Sequence, residues 1–349
     1  MQKVITATIG CDLGERQSTL SILWPDGRIE RPMPICTTPE SIRGFFTRPK
    51  AHVVIEVGAH SRWVSALLEE LGHQVTVANP RRVKLISQSD SKSDQVDAEL
   101  LARLGKADVK LLAPIRHRGM EAQSHLAVPK ARDGLVECRT KLINTCRGLV
   151  KSFGQRLPKC NGESFHVKAK EHVPAILKPA LEPIFQALEQ IQEAIRKEDK
   201  LIERLAKSYP DVEVISQPNG VGVLTALVFL LTLEDKNRFK SSRTVGAYLG
   251  LRPRKSQSGE NDPQLRITKA GDPLLRKLLV QCANYILGPF GKDSDLRRWG
   301  MELMKRGGKN AKKRARVAVA RKIGVLMHRL WVTGEVYEPV GYRVDSSAA

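Results

Sequence analysis

Two short runs constrain this chain more than anything else in it: Ile9-Gly10-Cys11-Asp12-Leu13 and Val53-Val54-Ile55-Glu56-Val57. Each sets one carboxylate inside an apolar, strand-forming stretch, where an unpaired ion is costly to bury. The pattern around them gives the frame. Residues 4–13 and 18–24 read as strands, Pro25-Asp26-Gly27 as a turn, and residues 28–35 as a third strand. Thr38-Pro39-Glu40 opens a helix with Ile42, Phe45 and Phe46 on its apolar face. A strand over 52–57, a helix over 61–71 closed by Gly72, and a strand over 74–78 follow. Three strands in a meander, then alternating helices and strands, is the order of an RNase H-like α/β domain. A doubly wound dinucleotide fold would begin β-α-β, and no G-x-G-x-x-G follows the first strand.

A second acidic pair lies downstream. In Lys92-Ser93-Asp94-Gln95-Val96-Asp97-Ala98, a helix start puts Asp94 and Asp97 on one face. In an RNase H frame the first strand, the fourth strand and a late helix meet at one edge, which would gather Asp12, Glu56, Asp94 and Asp97. Four such groups cannot all ionise cheaply together without cations. One or two Mg²⁺ ions, bound by oxygen and able to orient a phosphodiester, resolve the conflict. The plain alternative is that Asp94 merely complements a helix dipole. Asp90 and Glu99 lie close enough to be mistaken for ligands and rank lower.

The middle of the chain is helical. Between 181 and 205, Leu181, Ile184, Leu188, Ile191, Ile195, Ile202 and Leu205 recur at alternating threes and fours, with Glu198 at the missing seam position. That heptad suits a coiled coil between protomers or a helical hairpin within one. Beyond residue 214 the pattern changes. Pro218-Asn219-Gly220-Val221-Gly222 before an apolar helix resembles a helix-hairpin-helix turn, in which backbone N–H groups can face phosphate. Helical segments follow at 243–249, 273–287 and 312–331, with a polar loop over 252–268. Four segments result: an RNase H-like domain (1–110), a helical linker and coiled-coil segment (111–210), a helical C-terminal domain (211–340) and a flexible tail (341–349).

Charge points to the partner. Lys and Arg number 58 against 37 Asp and Glu, a net +21. A surface so basic repels itself unless a polyanion covers it, and nucleic acid is the usual one. The cations bunch between Lys292 and Lys322, where Lys309, Lys312, Lys313, Arg314 and Arg316 stand close together. No apolar run is long enough for a membrane span, and strand-like sequence begins near Met1 with no room for a signal peptide. The 6 cysteines are scattered without a C-x-x-C, so zinc and a disulfide framework are not expected and a cytoplasmic setting is.

These stretches resemble the DEDD transposases of bacterial insertion sequences, the "one-ten" family of bridge-RNA-guided recombinases, over nearly the whole chain. Lys92-Ser93-Asp94-Gln95-Val96-Asp97-Ala98-Glu99-Leu100-Leu101-Ala102 is similar to the family's K-[ST]-D-x-x-D-A-x-x-L-A element. Leu249-Gly250-Leu251-Arg252-Pro253-Arg254, then Ser258-Gly259, then residues 268–276 are similar to its C-terminal transposase element. The resemblance implies that Asp12, Glu56, Asp94 and Asp97 form a RuvC-like, metal-binding tetrad and that Ser258 is a nucleophile making a transient phosphoserine link to DNA. It also implies a structured noncoding guide RNA and a homo-oligomer, dimer or tetramer, in which the two kinds of domain meet across protomers. Arg252, Arg254, Lys255, Arg266, Lys269 and Arg276 would supply cations for nucleic acid. Ser256 is the rival serine. The chain departs from the family pattern in Leu13-Gly14-Glu15 after the first acid, in Glu56-Val57-Gly58-Ala59, and in the acidic Glu260 and Asp262 beside the serine. Two other readings stay open: a RuvC-type nuclease using metal-activated water, and a non-catalytic nucleic-acid-binding descendant of a transposase.

Overall fold

The computed structural model describes residues 6–81, 93–263 and 265–341. Met1 to Ile5, Lys92, Asp90 and the tail from residue 342 lie outside the described residues. The chain divides into two compact units, one running to His117 and the other starting at Arg118.

The first unit is built on a six-stranded mixed sheet. Strands β1 (Thr8–Leu13) and β2 (Gln17–Leu23) form an antiparallel hairpin. The expected third strand is instead two fragments, β3 (Ile29–Glu30) and β4 (Ile35–Cys36), which both pair with β2. Pro32 and Pro34 stand between them; neither has an N–H to give a ladder, so continuous pairing fails there. Helix α1 (Pro39–Phe46) is capped by Thr38, whose hydroxyl accepts from the Ser41 N–H. Strand β5 (His52–Glu56), helix α2 (Ser61–Glu70) and strand β6 (Gln74–Ala78) follow, β5 lying parallel to both β1 and β6. Helix α3 (Asp94–Ala107) completes the layer arrangement.

Strand alternation sorts the two faces of this sheet. Ile9, Cys11, Val53 and Ile55 point into a core with Ile42, Phe46, Val64 and Leu68 of α1 and α2. Thr8, Gly10, His52 and Val54 point the other way, under α3. The approach there is backbone to backbone. A Cβ on Gly10 would stand 1.9 Å from the Ala98 carbonyl oxygen, and one on Gly105 would stand 2.4 Å from a Val54 methyl.

The second unit is helical. Helix α4 (Met120–Ser152), the short α5 (Phe165–Lys168) and α6 (Lys178–Ala206) precede α7 (Asp211–Ile215) and α8 (Val223–Leu233). Then come α9 (Ser242–Tyr248), α10 (Pro273–Ile286), α11 (Asp295–Lys305) and α12 (Ala311–Thr333). Helix α8 is apolar all round because it is the core: residues 225–233 are buried among α10 and α12. Among the described residues no helix is long and apolar enough to cross a membrane.

Helices α4 and α6 run antiparallel within the chain. The buried stripe of α6 is Leu181, Phe185, Leu188, Gln192, Ile195, Ile202 and Ala206, so the expected seam is displaced: Ile184, Ile191 and Leu205 are only partly covered. Partners on α4 account for the shift. Arg139 donates to Gln192 at 2.5 Å and Arg132 pairs with Asp199 at 2.5 Å, so polar side chains occupy positions that periodicity would give to apolar ones. Ala122 and Leu126 of α4 and Ile202 and Ala206 of α6 join the same core as α8, so the hairpin's base is continuous with the C-terminal helices.

One buried group ties stability to pH. His328 on α12 is 1% exposed; its Nε2 donates to the Lys236 carbonyl (3.0 Å), and its Nδ1 accepts from the Ser242 hydroxyl (2.9 Å). The bond accepted by Nδ1 requires neutral imidazole, and burial pushes the pKa below the ordinary 6.5 against the opposing pull of the Lys236 carbonyl, which favours the charged ring. Since the unfolded chain takes the proton first, this contribution is whole above about pH 6.5 and is lost as pH falls through the lower folded value. Melting scans between pH 8 and 5 are expected to show a falling transition temperature, with a shallower slope in His328→Leu. Parallel slopes would assign the acid sensitivity to other groups.

Candidate functional site

The acids of the first unit are placed by the sheet. Asp12 is two residues past Gly10, and Glu56 two past Val54, so both project to the face that α3 covers. Cys11 pairs with Ile55 across the parallel ladder, which sets Asp12 and Glu56 side by side one residue beyond it. Both are partly buried. The Gly10–Ala98 contact then fixes the start of α3 over the same strand, and Asp94 and Asp97 lie in that first turn. Ser93 already caps the helix, its hydroxyl accepting from the Val96 N–H at 3.3 Å, so neither acid is needed as a cap.

Asp97 carries the clearest signal. It is 7% exposed, and its Oδ1 is buried with no hydrogen-bond partner. A buried carboxylate oxygen left unpaired is destabilising, and such groups persist where function requires them. Next to this set, the Cys11 thiol is pushed up first by burial and then by the adjacent Asp12 charge, so it stays protonated. Glu99 is held well below the usual carboxylate range by hydrogen bonds from Arg31 and then Arg103, with ion pairs of 2.8 and 2.9 Å. It is a structural link between α3 and residue 31.

The donor set fits a hard divalent cation: every candidate atom is a carboxylate oxygen, and one is an orphan. Among the described residues, no three His, Cys, Asp or Glu side chains close on one point in a metal-holding group. Asp12 and Glu56 thus share one sheet face, with the helix that carries Asp94 and Asp97 packed on the same strand, and the described residues form no finished coordination cage.

In the second unit, residues 250–271 form a projecting arm. Arg254 N–H donates to Arg266 O (2.9 Å), Thr268 N–H to Arg252 O (2.9 Å), and Pro253 bridges Ile267. At its tip Ser258 and Asn261 exchange both backbone hydrogen bonds (3.0 and 3.1 Å), closed by Gly259 at φ +57°. Ser258 and Ser256 are both exposed, as are Arg252, Arg254, Lys255, Arg266 and Lys269 along the arm. Glu260 and Asp262 share the tip. Arg276 differs: it is half-buried and donates to the Leu249 and Ala270 carbonyls at the arm's root.

Two further elements lie in this unit. Between α7 and α8, Gly220 adopts φ +91° against the Tyr285 ring, and Gly222 begins α8 with no side-chain cap. Lys309, Lys312, Lys313, Arg314 and Arg316 are exposed around the start of α12, where Asn310 leaves the helix uncapped as well. Sequence reasoning passed over Asp272, whose side chain is 4% exposed and lies 3.5 Å from Lys130 and 3.9 Å from Arg118. Its position before Pro273 marks a helix cap, but nothing local announces cations so far back in the chain.

Comparisons with known proteins identify the family. A DEDD transposase family model matches residues 9–154, and the model described as "Transposase IS116/IS110/IS902 family" matches residues 212–293. The transposase for insertion sequence element IS1111A of Coxiella burnetii is 30% identical over 82% of this chain and 79% of its own length. The transposase for IS1328 of Yersinia enterocolitica is 30% identical over 68% of this chain and 71% of its length. A probable family 20 transposase of Pseudomonas aeruginosa is 26% identical over 85% and 89%. The DEDD match suggests a dependence on divalent metal. With both halves matched in order, and the acids and the arm falling inside the matched segments, the chain belongs to the IS110 family of insertion-sequence transposases.

Proposed function

We propose that this transposase cuts and rejoins DNA through a phosphoserine intermediate on Ser258, with an RNase H-like first unit whose Asp12, Glu56, Asp94 and Asp97 hold one or two Mg²⁺ ions. The observation that carries the reading is the shared sheet face of Asp12 and Glu56 beneath the first turn of α3, with an unpartnered Asp97 oxygen beside it. The strand order β3-β2-β1-β5-β6, antiparallel and then parallel, supports the RNase H-like assignment. Metal at this site would neutralise charge building on a scissile phosphate and favour ionisation of the attacking oxygen.

The chain's own groups do the rest. The Ser258 hydroxyl gives up its proton and its oxygen bonds to phosphorus as the bond from phosphorus to a deoxyribose oxygen breaks, and the departing oxygen takes up a proton. A second DNA hydroxyl then attacks the phosphoserine, gives up its proton, and restores the serine. Exposed Arg252, Arg254, Lys255, Arg266 and Lys269 flank the tip and would hold phosphates in place during exchange. Lys309, Lys312, Lys313, Arg314 and Arg316 add a second cationic surface, suited to backbone contacts without sequence preference. The structured guide RNA and the dimeric or tetrameric assembly rest on the family resemblance, together with the +21 charge that asks for a polyanion.

A suicide DNA substrate that cannot religate tests the proposal. It is expected to give a covalent protein–DNA adduct with the native chain and with Ser256→Ala, and none with Ser258→Ala. Cleavage that survives in Ser258→Ala with no adduct anywhere would mean hydrolysis by activated water. The acidic Glu260 and Asp262 at the tip are the feature that favours that second reading.

A further inference from the structure

We propose that Arg276 is a positioning residue for the serine arm and not a contact to nucleic acid: its guanidinium locks the arm's root by donating to a backbone carbonyl on each side of it. The assignment rests on Ser258 being the nucleophile, and it adds what holds that nucleophile in place.

The arm leaves the helical body at Gly250 and returns at Gly271, and the two crossings touch through backbone. Gly250 has φ +70° and Gly271 φ +75°; a Cβ would stand 2.0 Å from Ala270 O at the first and 2.2 Å from Tyr248 O at the second. Lys269, a non-glycine, is also held at φ +54°, with its N–H donating to Gly250 O at 3.0 Å. Across this junction Arg276 Nη1 donates to Ala270 O on the returning side (2.9 Å) and to Leu249 O on the outgoing side (3.4 Å). The platform from which it reaches is rigid. Arg276 lies in the first turns of α10, whose start is fixed by Asp272: one carboxylate oxygen accepts from Leu275 N–H at 3.1 Å, and the other faces Lys130 and Arg118.

Geometry makes this root decisive. Residues 252–263 are exposed throughout, so no packing against the body steadies the tip. Eight residues from Gly250 to Ser258 span at most about 26 Å. A swing of roughly ten degrees at the root therefore carries the hydroxyl by up to about 4.5 Å, a displacement on the scale of the whole approach distance of a reacting pair. Two hydrogen bonds from one planar group, aimed at opposite sides of the junction, resist such a swing.

Full-length Arg276→Gln and Arg276→Lys separate the alternatives. Three quantities are read: the initial rate of trypsin cleavage after Arg254, Lys255 and Arg266 without DNA, the DNA affinity and its salt dependence, and the adduct yield on the suicide substrate. In Arg276→Gln, arm cleavage is expected to rise about fivefold or more. DNA affinity should stay within about twofold with an unchanged salt slope, and adduct formation should fall about a hundredfold. Arg276→Lys keeps the charge on a stem that stops short of the two carbonyls, so its arm cleavage should rise too. Should one variant fail to melt cooperatively, the other is read alone. Unchanged cleavage with weakened affinity and a flatter salt slope in Arg276→Gln, or native cleavage in Arg276→Lys, overturns the proposal. Absence of any adduct with the native chain would instead defeat the Ser258 reading, and the proteolysis still decides whether Arg276 holds the arm.

Discussion

Asp97→Asn is expected to lower strand transfer by at least about a hundredfold while leaving the melting temperature of the first unit unchanged or higher. The two effects share one cause. Asp97 is nearly buried with an Oδ1 that finds no donor, so the folded chain bears the cost of an unsatisfied carboxylate oxygen. The amide removes the charge, keeps the size, and relieves that cost. It also removes an anionic oxygen from the face shared with Asp12 and Glu56, where a divalent cation would need it. Thermal melting and a strand-transfer assay on the same preparation check both halves. A variant that loses stability along with activity would show that Asp97 is a structural acid.

The second large effect belongs to a residue with no functional group. Gly10→Ala places a methyl 1.9 Å from the Ala98 carbonyl, a distance that cannot be met without moving helix α3 off the sheet. Overpacking of this kind costs about 1–3 kcal/mol. The consequence for activity should exceed the consequence for folding, because the helix that moves carries Asp94 and Asp97 while Asp12 stays on the strand. Displacement of about 1 Å at a catalytic constellation costs about a hundredfold in rate. Gly44→Ala is the control: it lies on α1 in the same unit, and a Cβ there meets nothing within 4 Å. Equal activity in the Gly10 and Gly44 variants would remove the helix-placement argument.

The acids stood out in the sequence as candidates because a charge inside an apolar strand contrasts with its neighbours, and Ser93-Asp94 marks a helix start by cap chemistry alone, a start the structure has at Asp94. Their shared face followed from strand parity once the parallel pairing of β1 with β5 was known. The divided third strand was legible in principle, since Pro32 and Pro34 each lack the donor a ladder needs. The seam of α6 was displaced because Gln192 and Asp199 do not look like core residues until Arg139 and Arg132 face them. Helix α11 went unseen although Leu296, Trp299, Leu303 and Met304 recur at helical spacing, because its cations merge with the basic run from Lys292 to Lys322. Pairing within the arm depends on contacts such as Arg254 with Arg266, which no local periodicity encodes.

The polar pairs between α4 and α6 also act as a ruler. A slide of one heptad would bring Arg132 opposite Ala206 and Arg139 opposite Asp199, leaving Gln192 against Cys146 and a guanidinium without its partner. Apolar layers alone would tolerate such slippage, because one leucine fills another's hole about as well. The rod is thereby held to a single length, so whatever docks at its far end meets the helical body at a set spacing.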